Sequence, residues 1–198
     1  MTTTARAPDA RITLFGSQSQ CSMMPRASCD ALIEVARKPD IPRIMNLVNI
    51  EHLKSDALLE IDIKETSRWI EDGLSIVARL DEDIIAHQSA QVWPQSGWIE
   101  IRAAVVKEEF RNKGIFGKMV RFQVETILDS DPSATICTVK NKKSRGNRVL
   151  ESIGFREVPP ESVPQEIFTI GEGQEWRVFV LTAESYDRGK ALLAGARC

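Results

Sequence analysis

The chain has 198 residues, 42% hydrophobic and 27% charged, with a net charge of -2 and a pI near 5.8. That mixture suits a folded domain with a sizeable core, excludes a disordered chain, and offers nucleic acid or an anionic membrane no whole-molecule attraction. No run approaches the roughly 18 apolar residues of a membrane span, and the N-terminal MTTTARAPDARITLF lacks the apolar stretch of a secretory signal.

The expected setting is therefore cytoplasmic and reducing, without membrane or nucleic-acid partners. Four cysteines, Cys21, Cys29, Cys137 and Cys198, form no CxxC pair, and only His52 and His87 could join them around a metal. No metal site is expected.

In chain order, residues 1–29 are rich in Ser, Thr, Ala and Pro and read as a flexible arm, with room for a short strand at 12–15. A first strand is expected at 31–36. Pro39 and Pro42 then mark a helix start, because proline is tolerated in the first turn, and Ile41, Ile44, Met45, Val48 and Ile50 supply an apolar stripe. A second helix is expected over 64–72. Three strand-like runs follow, at 75–80, 84–92 and 98–106, with short charged or Pro/Gly connections that favour antiparallel hairpins.

The period then changes. Ile115, Met119, Val120, Phe122, Val124, Ile127 and Leu128 predict an apolar-faced helix that ends near Asp131-Pro132. A strand is expected at 134–139, a more polar helix at 144–153 ending on Gly154, and strands at 155–158 and 175–182. The order suits one mixed sheet with helices on both faces. It divides the chain into the arm, a single domain over 30–183, and a partly helical tail over 184–198.

The stretch Val105 to Gly117, VVKEEFRNKGIFG, leads from a strand through Arg111-Asn112-Lys113-Gly114 into a helix. A glycine turn before a helix N-terminus presents backbone N–H groups to an anion, and Arg111 and Lys113 add positive charge. No G-x-G-x-x-G fingerprint is present, and no Gly-Lys-Ser/Thr follows the turn, which argues against a dinucleotide fold and a P-loop.

Arg111, Gly114 and Phe116, with the second unit Val139 to Val158 ending Leu150-Glu151-Ser152-Ile153-Gly154-Phe155, resemble the acetyl-CoA-binding half of the GCN5-related N-acetyltransferase (GNAT) family. The resemblance spans about residues 31–182. It implies an α/β fold with a mixed, mostly antiparallel sheet flanked by helices, and acetyl-CoA as cofactor. It further implies that Val105 and Val106 bond the pantetheine arm through their backbone, and that the amides of Asn112, Lys113, Gly114, Ile115, Phe116 and Gly117 surround the diphosphate with Arg111. Phe116 departs from the family's small residue, with Gly117 one place late; it is read either as a reshaped pocket wall or as core. Asn141 and Asn147 either bond the pantetheine arm or cap the following helix.

Amide formation from a thioester needs a base to accept the amine's proton and donors for the developing oxyanion, for which the Val106 N–H is a candidate. Glu100, in an otherwise apolar strand, is the expected base, and the resemblance places a catalytic glutamate of histone acetyltransferases at the matching position. Alternation puts Glu100 and Arg102 on one sheet face, so a solvated ion pair is the competing reading. His87 is a secondary candidate, either a proton relay or a structural histidine. The family's tyrosine acid is absent: Leu150 occupies its column, and the chain's only tyrosine, Tyr186, lies in the tail. Solvent or Ser144 is left as proton donor to the departing thiolate.

No motif encodes the acceptor. Glu161, Glu166, Glu172 and Glu175 suggest an acidic rim that suits a cationic small-molecule amine. A protein or peptide acceptor and a non-catalytic acyl-CoA-binding protein remain the alternatives, and the resemblance also allows a homodimer.

Overall fold

The alternating apolar runs become seven strands of a single sheet in a computed structural model that describes residues 30–54, 63–142, 144–167 and 176–195. The strand expected at 12–15, three of the cysteines (Cys21, Cys29 and Cys198), and Glu172 and Glu175 lie outside the described residues.

The strands are β1 (Leu32–Val35), β2 (Ser75–Leu80), β3 (Asp83–Val92), β4 (Ile99–Val106), β5 (Ile136–Asn141), β6 (Arg156–Val158) and β7 (Trp176–Leu181), in the spatial order β1-β2-β3-β4-β5-β7-β6. Among the described residues only β4 and β5 pair in parallel; every other neighbour is antiparallel. The sheet is thus mixed and mostly antiparallel, as expected.

Helices α1 (Ile41–His52) and α2 (Ile63–Glu71) cover one face, where Ile44, Leu47, Val48, Trp69 and Ile70 pack on Val77, Ile84 and Val105. Helices α3 (Ile115–Ser130), α4 (Asn147–Ile153) and α5 (Ala183–Gly195) lie on the other side. Adjacent residues of β2 make this plain. Val77 joins the α1–α2 cluster, whereas Ile76 packs with Ile115 and Met119 of α3, and successive strand residues point to opposite faces.

The start of α1 is anchored by Asp40, which accepts the Arg37 backbone N–H at 3.0 Å and an Arg79 N–H at 2.9 Å. Arg79 also donates to Glu34, which ties β1, β2 and the helix start together. Burial raises the Asp40 pKa, but the Arg37 amide and the Arg79 guanidinium outweigh it and hold the carboxyl below its ordinary value.

The segment read as a C-terminal tail is a further structural helix. Tyr186 of α5 is buried with Leu150, Ile153, Phe179 and Leu181, and its hydroxyl donates to Glu125 of α3 at 2.7 Å. The amphipathic signal of α5 is weak because small residues make its contact: a Cβ at Gly189 would lie 2.7 Å from the Ile153 carbonyl oxygen, and one at Gly154 2.5 Å from that of Ser185.

Candidate functional site

Strands β4 and β5 pair only at Ile99 with Ile136 and Glu100 with Cys137, although β4 continues to Val106 and β5 to Asn141. Beyond Glu100 the two strands part, which leaves facing backbone edges without a strand between them.

Within the same stretch β4 changes face. Ser89 of β3 pairs with Arg102, but His87 pairs with Val105, so β4 carries an extra residue there. Ala103 adopts a left-handed φ of 49° at this bulge. A bulge re-aims the side chains that follow it: Ile101 packs in the α3–α4 cluster, whereas Val105 lies in the α1–α2 cluster. Uninterrupted alternation would have put both on one face. Val105 is buried, and the Val106 carbonyl accepts the Arg111 Nε–H at 3.0 Å.

The turn after β4 is exposed and leads into the N-terminus of α3. Asn112 (φ 63°) and Gly114 (φ 80°) are both left-handed, and Arg111 to Gly114 are exposed. Gly114 is the N-cap of α3, and a Cβ there would meet nothing within 4 Å. The first intrahelical bond runs from the Lys118 N–H to the Gly114 carbonyl, so the amides of Ile115, Phe116 and Gly117 precede the helix ladder. Ile115 anchors this turn in the core.

Arg111 is not a free cation. Its guanidinium is bound by Glu51, a buried carboxylate at the end of α1 that also accepts from Lys54 at 3.0 Å. Lys113 Nζ sits 5.0 Å over the Phe110 ring. Glu108 and Glu109 form an exposed helical turn, and Glu108 lies 3.5 Å from Lys54.

The opposite wall comes from the loop into α4. The Ser144 hydroxyl accepts the Gly146 N–H at 3.2 Å, and the Ser144 N–H donates to the Asn141 carbonyl at 2.9 Å. Buried Asn147 donates to the Asn141 and Lys142 carbonyls, while its Oδ1 accepts nothing. Gly146 and Gly117 hold α3 and α4 close. Their Cβ atoms would meet Phe116 at 3.1 Å and Val149 at 3.2 Å respectively. Phe116 therefore wedges between the two helix starts, partly buried against the core, with Lys140 Nζ 5.5 Å above its ring. Leu150 is wholly buried and Tyr186 is engaged with Glu125, so neither column supplies a hydroxyl at the opening.

On the α1–α2 face, Glu100 is 8% exposed and accepts the Trp93 Nε1–H at 3.2 Å. Arg102 approaches it at 3.9 Å, donates to Gln91 at 2.7 Å and lies 5.7 Å over the Trp69 ring. The face predicted for Glu100 and Arg102 by alternation is the face they share. Burial raises the Glu100 pKa against the opposing pull of Arg102, Trp93 and Lys140. His87 is fully buried, with Nε2 2.9 Å from the Ser75 hydroxyl and its ring stacked on Trp69. That is a structural position.

Sequence reasoning did not single out Trp93, Glu51 or Lys140. A charged residue at an alternate position of the β5 run was the available signal for Lys140. The partners of Trp93 and Glu51 are far enough away in sequence, seven and sixty residues, that spacing carried none.

These residues fit a long, diphosphate-bearing thioester. The Gly114 cradle is open to an anion, the parted strands expose backbone to an amide-bearing arm, and the orphaned Asn147 Oδ1 is a buried acceptor awaiting a donor. Among the described residues, no His, Cys, Asp or Glu cluster could hold a metal ion, and no helix is long and apolar enough to cross a membrane.

No family model matches the sequence, and no curated protein does. Solved structures do match its fold. The putative acetyltransferase yncA from Salmonella typhimurium, with its cofactor acetyl-CoA, aligns at TM-score 0.63 and 17% identity over 78% of this chain and 95% of that one. Ribosomal-protein-alanine N-acetyltransferase from Brucella melitensis gives 0.62 and 17%, over 76% and 99%. N-acetylglutamate synthase from Neisseria gonorrhoeae, complexed with coenzyme A and N-acetyl-glutamate, gives 0.63 and 14%, over 78% of this chain but 36% of that protein. Others include a GNAT-family acetyltransferase from Staphylococcus aureus. At these identities the likeness is one of fold.

Proposed function

We propose that this chain, which has the fold of the GNAT acetyltransferases, transfers an acetyl group from acetyl-CoA to a primary amine of a small molecule. The observation that carries the reading is the parting of β4 and β5 beside a glycine-capped helix start, with a buried carboxylate at the point of divergence.

Acetyl-CoA, when bound, supplies an activated acyl carbon. The chain supplies the rest. The α3 amides and Gly114 hold the diphosphate; Asn147 Oδ1 and the free β4 edge hold the pantetheine arm. An alkylammonium has a pKa of about 10, so it must lose a proton before it can attack. Glu100 takes that proton, directly or through water, and its raised pKa makes it a stronger base than an exposed glutamate. Trp93 fixes the carboxylate's direction through Nε1. Glu166 closes this side of the site by accepting the Ser96 N–H at 3.0 Å, which joins the late loop to the β3–β4 turn.

The test is calorimetric titration with acetyl-CoA, then thiol release across a panel of amines and peptides. Binding with turnover is expected, and Glu100→Gln should retain binding while kcat drops by about 10²- to 10⁴-fold. No binding up to millimolar acetyl-CoA would overturn the reading. The buried Leu150 and the engaged Tyr186 favour one second reading, a non-catalytic acyl-CoA binder, which would bind but release no thiol with any amine.

A further inference from the structure

We propose that Lys140 is the proton donor to the departing thiolate, the task for which this chain has no tyrosine; the inference rests on the proposed acetyl transfer.

The geometry starts with β5. Alternation puts Ile136, Thr138 and Lys140 on the α3–α4 face, and Ile136 does pack with Val120 and Leu150 there. Strand β4 leaves β5 at Cys137, three residues before Lys140, so the lysine stands on the stretch that borders the opening. Its Nζ lies 5.5 Å over the ring of Phe116, the second residue of α3 and part of the amide cradle. Along β5, Lys140 thus lies beyond the point of divergence at Cys137 and beside the start of α3, on the sheet face opposite to Glu100.

Lys140 is half-buried, and among the described residues no hydrogen bond or salt bridge holds its Nζ. Burying a cation without a carboxylate favours the neutral amine. Burial brings its pKa down to about 8, with Glu100 on β4 opposing. Other charged groups around it are already paired or engaged. Arg177, its cross-strand neighbour on β7, is bound by Glu157 of β6 and Glu151 of α4, and Lys142 interacts with Glu157. Helix α3 presents the Phe116 ring to it. A thiol titrates at about 8.5, so an ammonium of this kind is matched to it, and proton transfer is efficient when donor and acceptor are matched near the working pH.

The step balances. The amine nitrogen bonds to the acyl carbon and gives its proton to Glu100. The C–S bond breaks, sulfur keeps the electron pair, and Lys140 Nζ gives it a proton. Solvent returns the proton from Glu100 to Lys140, leaving amide and free thiol.

Two measurements test this. The first is competitive labelling of the wild-type protein with acetic anhydride across pH, read peptide by peptide by mass spectrometry. Lys140 should titrate near 8, well below the exposed lysines, and should be protected by desulfo-CoA. The second compares Lys140→Arg and Lys140→Met. Both should bind acetyl-CoA within about threefold of wild type, yet lose about 10²- to 10⁴-fold in kcat, the range for a general acid. The alkaline decline of wild-type kcat above pH 8 should be absent from both. Arginine keeps the charge but does not release a proton in this range, so a Lys140→Arg enzyme with wild-type kcat would overturn the proposal. An ordinary labelling midpoint, or no protection by desulfo-CoA, would also overturn it, and both can be read even where a variant does not fold. A wild-type protein that does not bind acetyl-CoA would remove the acetyl-transfer reading as well. Turnover that is indifferent to Lys140 would remove this inference alone.

Discussion

At the scale of single residues, the ionisable groups in the sheet have opposite effects on stability. His87 is fully buried between Trp69 and Ser75, and burial pushes its pKa from 6.5 to about 3, with the Ala103 backbone opposing. The unfolded chain therefore binds this proton more readily than the folded one, so stability is present above pH 6.5 and is lost as pH falls toward 3. The slope is about 1.4 kcal/mol per pH unit. Glu100 acts in the other direction: its raised pKa favours the folded state as pH falls. Asp40 is held below its ordinary value, so its contribution is lost only under more acidic conditions. Urea unfolding between pH 7 and 4 should show the histidine's slope in wild type and its loss in His87→Gln. An unchanged slope in the variant would assign the effect to other groups.

At the scale of elements, two glycines set how closely α4 and α5 approach, beside the apolar contact of Tyr186 with Leu150 and Ile153. Backbone meets backbone at Gly154 and Gly189, where an added Cβ would lie within 2.5 Å and 2.7 Å of carbonyl oxygens. Gly154 also ends α4 with φ 114°, as a left-handed helix stop. Gly189→Ala should therefore cost about 1–3 kcal/mol by forcing the helices apart. Gly117→Ala, facing the terminal methyl of Val149 at 3.2 Å, should cost less because a side chain can yield. Thermal melts of the two variants check the order, and equal midpoints would mean that α5 adjusts freely.

For the whole molecule, one sheet runs from β1 to β6, and its far half is covered by elements distant in sequence. Helix α5 places Tyr186 in the same cluster as Ile101 of β4 and Ile136 of β5. Truncation after Thr182 would uncover Leu150, Ile153 and Phe179. A lost large aromatic costs about 3–5 kcal/mol, which for a chain of this size lowers Tm by roughly 10 °C or more. A truncated protein that melts with the full-length one would show α5 to be dispensable.

The amino-acid sequence by itself determined the element order, because each run carries its own period: β2 is observed over the six residues expected, and α3 starts at the expected Ile115. It also marked the glycine turn before α3, since Gly114 and the apolar helix after it are local features, and it put Glu100 and Arg102 on one face, since that follows from the strand period. The tertiary structure alone decided what depends on contacts between distant segments. The parting of β4 from β5 and the bulge at Ala103 are properties of strand pairs, and a period-2 pattern cannot show where a neighbour leaves. The tie between Arg111 and Glu51, the burial of His87, the packing of the supposed tail and the position of Lys140 over Phe116 likewise join residues at least 12 positions apart. Burial and pairing of that kind arise only when the chain has closed on itself, and with them the chemistry available at the opening.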